Sequence, residues 1–143
     1  MTGYPWTTIE HKRTADMTKL YSTAAVSRDG RVEVDGAALT VTQPAELGGT
    51  GGGWDPERLF AAALATCLHQ SLVLTASSGG HDTGGSAVRA EVSLSAHGAQ
   101  QYDLTARLFV ELPNVTDEGQ RRTLVDRAAQ HCPLADGWEV SVA

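Results

Sequence analysis

The sequence predicts an α+β domain in the order βββ-α-ββ-α-β. Three observations carry that expectation. Short period-two segments near the start are separated by Asp29-Gly30 and Asp35-Gly36, and Asp-Gly is a strong hairpin signal. A run from Arg58 to Ser77 is rich in Ala and Leu and contains neither Gly nor Pro. Two further alternating segments are followed by a second, shorter helical stripe and a last strand. With 143 residues, 41% of them apolar, the chain suits one core. Two domains would leave each near ~70 residues, where a lone core is marginal.

Residues 1–18 are polar and aperiodic and read as an N-terminal arm, with 19–143 as a single domain. From Lys19, Leu20, Ser22, Ala24 and Val26 alternate with Tyr21, Thr23 and Ala25, the pattern of a strand. Val32 and Val34 form the second strand, and Leu39, Val41 and Thr42 the third. Tight turns between them predict an antiparallel meander. A Gly-rich loop, Gly48 to Gly53, then leads to Asp55-Pro56-Glu57, an N-terminal helix signature of capping Asp, first-turn Pro and dipole-compatible Glu. In the helix that follows, Phe60, Ala63, Leu64, Cys67, Leu68, Ser71 and Leu74 share helical spacing, while Leu59, Ala61, Ala62, Ala65 and Leu72 occupy other faces. A helix apolar around its circumference must be enclosed by its own sheet or by a partner subunit. Val88 to Ala96 and Tyr102 to Leu112 predict a hairpin of two strands. Thr116 or Asp117 starts the second helix, whose stripe is Leu124, Val125 and Ala128. Cys132-Pro133 ends it, and Trp138 to Val142 makes the final strand.

Composition narrows the function. A pI near 5.2 and a net charge of −6 leave no basic excess to displace phosphate counterions, which argues against nucleic acid. No apolar run approaches the ~18–20 residues of a membrane span, and no basic stretch followed by an apolar segment marks the N-terminus for export. The expected compartment is the cytoplasm, where two thiols persist reduced or form a transient catalytic disulfide.

The chemical signals differ in weight. The Gly-rich loop lacks the Gly-Lys ending of a phosphate-binding loop, so its ordinary reading is a mobile loop beside a pocket. No Gly-x-Ser-x-Gly is present for a serine hydrolase. Cys67 and His69 project about 200° apart on a helix and cannot easily grip one ion, so no metal is expected. His69 reads as structural, and Asp29 and Glu46 as turn and loop residues. By position alone, Cys67 reads as a small buried hydrophobe, and Cys132 as an ordinary helix-end residue.

The wider context is more specific. Glu46-Leu47-Gly48-Gly49-x-Gly51, Asp55-Pro56-Glu57-Arg58-Leu59-Phe60-Ala61-Ala62, Ala65-Thr66-Cys67 and the later Cys132-Pro133 resemble the OsmC/Ohr family, and most closely its organic hydroperoxide resistance branch. Ser27-Arg28-Asp29-Gly30 fits that branch's early turn. The resemblance runs over residues 19–143 and implies an intertwined homodimer, with a long buried central helix wrapped by antiparallel sheet. It implies an enzyme that reduces organic or lipid hydroperoxides to alcohols without a bound cofactor, drawing electrons from a dihydrolipoamide-bearing protein or another dithiol. Carried over by residue, it makes Cys67 the peroxidatic nucleophile and Cys132 the resolving thiol, with Arg28 against the Cys67 sulfur and Glu57 holding Arg28. Trp54, Phe60 and Leu64 would wall an apolar pocket. After Cys132-Pro133, this chain reads Leu134-Ala135 where the branch has Tyr-Ser and a longer loop.

Physical chemistry constrains these roles. Glu57 precedes Cys67 by ten residues, about 15 Å of helical rise, so it cannot touch the sulfur. Cys67 lies too far into its helix for the dipole to help much, so a cation must act instead. A cation that ionises a thiol also lowers its nucleophilicity, with a Brønsted slope of ~0.4–0.5, and the two effects roughly cancel. Arg28 is therefore expected to act chiefly on charge developing at the leaving oxygen. Two alternatives from other classes stay open: a non-catalytic module of the same fold that binds an apolar ligand, and a redox sensor.

Overall fold

The computed structural model describes residues 17–99 and 101–143; residues 1–16, most of the expected arm, lie outside the described residues. The chain divides into two compact units, residues 1–39 and 40–143.

The meander is β1 (Ala25–Arg28), β2 (Arg31–Val34) and β3 (Ala37–Thr40), in that spatial order, and all but its last residue, Thr40, falls in the first unit. Both Asp-Gly turns behave as their sequence predicts. Asp29 and Gly30 have φ of 53° and 73°, and Asp35 and Gly36 have φ of 48° and 83°. Two consecutive left-handed residues make the turn whose twist matches flanking strands. The first strand starts at Ala25 rather than Lys19. Its partner explains why: Ala25 pairs with Val34, and beyond Val34 the Asp35-Gly36 turn leads the second strand away. The third strand likewise begins directly after Gly36, and Val41 forms only an isolated bridge with Trp54.

The second unit holds α1 (Pro56–Ser78), β4 (Ala87–Ala96), β5 (Tyr102–Glu111), α2 (Glu118–His131) and β6 (Glu139–Val142). β4 and β5 are antiparallel, from Ala87 opposite Glu111 to Ala96 opposite Tyr102. β6 lies parallel to β5, Arg107 opposite Glu139, which corrects the expected all-antiparallel sheet. The helix between them carries the chain back across the sheet, as a parallel connection requires.

Helix α1 begins where its sequence says. Asp55, extended at φ −132°, accepts a 2.8 Å bond from the Arg58 N–H, and Pro56 occupies the first turn. Leu64, Leu68, Leu72 and Ala76 recur every fourth residue and are fully buried in the core, together with Leu108 and Val110 of β5 and Val125 and Ala128 of α2. At 23 residues α1 is long and apolar enough to cross a membrane by length and composition, contrary to the sequence expectation. Its buried row marks it instead as the core helix of this unit. One small sheet and one helix cover a single side of it; Ala62, Thr66, Gln70 and Leu74 stay exposed, Leu74 by 70%.

The Gly-rich loop, expected to be mobile, makes defined hydrogen bonds. It folds back onto residues 40–43: Trp54 N–H donates to Thr40 O (2.9 Å) and Gly51 N–H to Gln43 O (3.0 Å). The Thr42 hydroxyl donates to Gly51 O and accepts from Gly53 N–H. A Cβ added at Gly49 would run into the Gln43 carbonyl oxygen, so close backbone approach is what demands glycine there.

Candidate active site

Two thiols that are 65 positions apart in sequence meet between the helices. Cys67 lies on α1, half-buried beside the fully buried Leu68, and Cys132 caps the end of α2 at 2% exposure. The apolar stripe of α2 seats that helix against α1, which brings its C-terminal end to Cys67. The Cys132 thiol donates to the Cys67 sulfur at 2.7 Å, and both cysteines are free. Sulfurs so placed need only a small side-chain adjustment to reach a bonding distance of ~2.05 Å.

The two differ in burial. Burial pushes the Cys132 thiol up to about 11, and its hydrogen bond to Cys67 adds to the effect, against opposition from backbone hydrogen bonds at Leu134 and Ala135. Desolvation disfavours the charged form, so Cys132 is a neutral thiol at physiological pH and can serve as donor. This asymmetry is measurable. The unfolded thiol titrates near 9.0 and the folded one near 11, so above pH 9 the unfolded state binds fewer protons and stability falls with rising pH. Under reducing conditions, urea unfolding of the wild type should lose on the order of 2–3 kcal/mol more between pH 8 and 11 than Cys132→Ala does. Parallel pH profiles for the two proteins would contradict that reading.

The remaining predicted residues are distributed. Glu57 sits half-buried in the first turn of α1, where it lines a cleft with Leu47, Asp55, Arg58 and Leu94. Because α1 is unbroken, Glu57 and Cys67 stay about 15 Å apart along the axis. Arg28 is the last residue of β1, exposed, in the first unit. Trp54 is 40% exposed, whereas Leu64 is wholly inside the core. Phe60 packs edge-to-face on Trp138, with ring centroids 6.3 Å apart. His69, on a different face from Cys67, shares a 3.0 Å hydrogen bond with Ser86. Sequence reasoning missed Trp138 as the partner of Phe60, since it arrives from the far end of the chain. It also counted Ser71 only as part of an apolar stripe, although its hydroxyl donates to Ala128 O at 2.7 Å.

A neutral, buried thiol held against a second, more accessible one across two helices backed by a mixed sheet defines an α+β protein with a two-cysteine site. Comparison with known proteins narrows this. The family profile of OsmC-like proteins matches residues 49–138, and the chain belongs to that family. It is 34% identical over 124 residues to an organic hydroperoxide resistance protein of Xanthomonas axonopodis pv. citri, covering 81% of this chain and 83% of the relative. Among solved structures, an organic hydroperoxide resistance protein OsmC from Legionella pneumophila superposes with a TM-score of 0.80 at 30% identity, over 88% of this chain and 99% of its own. One from Elizabethkingia anophelis gives 0.80 at 29% identity, over 89% and 99%.

Proposed function

We propose that this protein is a thiol peroxidase that reduces organic hydroperoxides to alcohols. The observation that carries the reading is the 2.7 Å approach of the Cys67 and Cys132 sulfurs in a member of this family. The Cys67 thiolate attacks the terminal oxygen of the hydroperoxide and the O–O bond breaks. The alkoxide leaves and takes a proton to become the alcohol, and Cys67 is now a sulfenic acid. The Cys132 sulfur then attacks the Cys67 sulfur. An S–S bond forms, the S–O bond breaks, and the departing hydroxide takes the Cys132 proton to leave as water. An external dithiol, of the dihydrolipoamide kind, reduces the disulfide, and no bound cofactor is needed.

Trp54 and Phe60, the pocket walls that the resemblance implies, would favour alkyl or lipid peroxides, whose tails gain burial. The exposed apolar residues Ala62, Ala63 and Leu74 on α1 support a homodimer, because they leave apolar surface of the core helix for a second copy to cover. Free thiols suit the cytoplasm. For Arg28 the resemblance implies the role of stabilising charge on the leaving oxygen. Arg28→Lys is therefore expected to lose about 10²-fold in peroxide turnover even with Cys67 ionised, since a point charge lacks the planar fork of donors; near-wild-type kcat/KM in that variant would remove Arg28 from the mechanism.

The direct test supplies tert-butyl hydroperoxide with excess dihydrolipoamide and follows peroxide loss. Many turnovers per protein support the peroxidase. Consumption of a single equivalent, followed by arrest, indicates a redox sensor instead, and no consumption a binding module.

A further inference from the structure

From the packing of α1 on α2 we infer that Ser71 is a positioning residue for disulfide formation: its hydroxyl fixes the end of the second helix so that the Cys132 sulfur stays on the Cys67 sulfur. The inference rests on the peroxidase reading above and adds a residue that acts on its second step alone.

Ser71 lies one helical turn after Cys67, on the same side of α1. Its hydroxyl donates at 2.7 Å to the carbonyl oxygen of Ala128, four residues before Cys132 on α2. In a continuing α-helix that carbonyl would accept from the Cys132 N–H. Here the Cys132 N–H turns to Ala129 O instead, at 3.2 Å, because the helix ends at His131 and Pro133 follows. The Ala128 carbonyl is thus one of the acceptors a helix terminus leaves without an internal partner. Ser71 supplies that partner from the neighbouring helix.

The geometry is a clamp with two contacts one turn apart. One is Ser71 to Ala128 and the other is Cys132 to Cys67 at 2.7 Å. Helix ends fray, and a frayed end of α2 would let the Cys132 sulfur drift from its partner. Intramolecular rates depend steeply on such placement. The hydroxyl touches neither sulfur in any contact of this structure, so it has no part in the attack on peroxide; it acts through Cys132.

The test uses the full chain, fully reduced, as wild type, Ser71→Ala and Ser71→Thr. Each protein is dosed with increasing cumene hydroperoxide. Intact mass after thiol trapping then gives the ratio of disulfide to Cys67 sulfinic acid, because condensation with Cys132 competes with a second peroxide. The rate of the first oxidation is measured alongside. Loss of one partly buried hydrogen bond should shift the ratio toward sulfinic acid about fivefold in Ser71→Ala. The first oxidation should keep its rate, and Ser71→Thr should restore the wild-type ratio. An unchanged ratio in Ser71→Ala overturns the inference, and so does an equal shift in both variants, which would assign the effect to packing rather than to the hydroxyl. If the wild type itself forms no Cys67–Cys132 disulfide, it is the peroxidase cycle that fails.

Discussion

Cys67→Ser is expected to lose dithiol-dependent consumption of organic hydroperoxide by at least about 10³-fold while remaining folded. The substitution changes one atom on a half-buried helical position and leaves the fully buried row of Leu64, Leu68 and Leu72 untouched. An alcohol at that position is un-ionised at neutral pH and is a far weaker nucleophile than a thiolate. Removing a nucleophile typically costs orders of magnitude that the remaining binding contacts cannot restore. The measurement is the initial rate of tert-butyl hydroperoxide loss with dihydrolipoamide, with circular dichroism confirming the fold. Residual activity within tenfold of wild type would mean that Cys67 does not attack peroxide.

Cys132→Ser should separate the two halves of the cycle. Its first equivalent of peroxide should be consumed at the wild-type rate, because Cys132 is a protonated donor and not the attacking group. Subsequent turnover should fall by about 10²-fold, since an external thiol must replace a partner held at high effective molarity. Excess peroxide should then drive Cys67 to sulfinic acid, which is not reversed by thiols. Rapid-quench mass spectrometry reads both phases. If steady-state turnover with dihydrolipoamide matched wild type, Cys132 would have no resolving role, whatever its distance from Cys67.

Local chemistry was legible in the sequence wherever a residue acts on its immediate neighbours. The two Asp-Gly turns announce their left-handed backbone, and Asp55-Pro56 and Asp117 announce the starts of the helices. Properties that depend on a distant partner were not. The strand pattern from Lys19 to Ala24 is genuine, but β2 is too short to pair with it. The parallel placement of β6 follows from the helix inserted after β5, a topological cue that alternation within a strand does not contain. The Gly-rich loop looks unstructured by composition, yet its glycines admit the Gln43 carbonyl at close range. The cysteines show the same division. Spacing alone left Cys67 as a small buried hydrophobe and Cys132 as an ordinary helix-end residue; resemblance to a family paired their roles, and the packing of one helix on the other brought their sulfurs into contact.

That contact has a consequence for how firmly the chain holds its shape in different redox conditions. A covalent link between positions 65 apart would close a long loop in the unfolded chain, and by polymer entropy this favours the native state by about 4 kcal/mol. The oxidised protein would then resist denaturant and proteases better than its resting form. During peroxide exposure the molecule would be toughened by the stress it removes, and each reduction by a dithiol would return it to the looser condition.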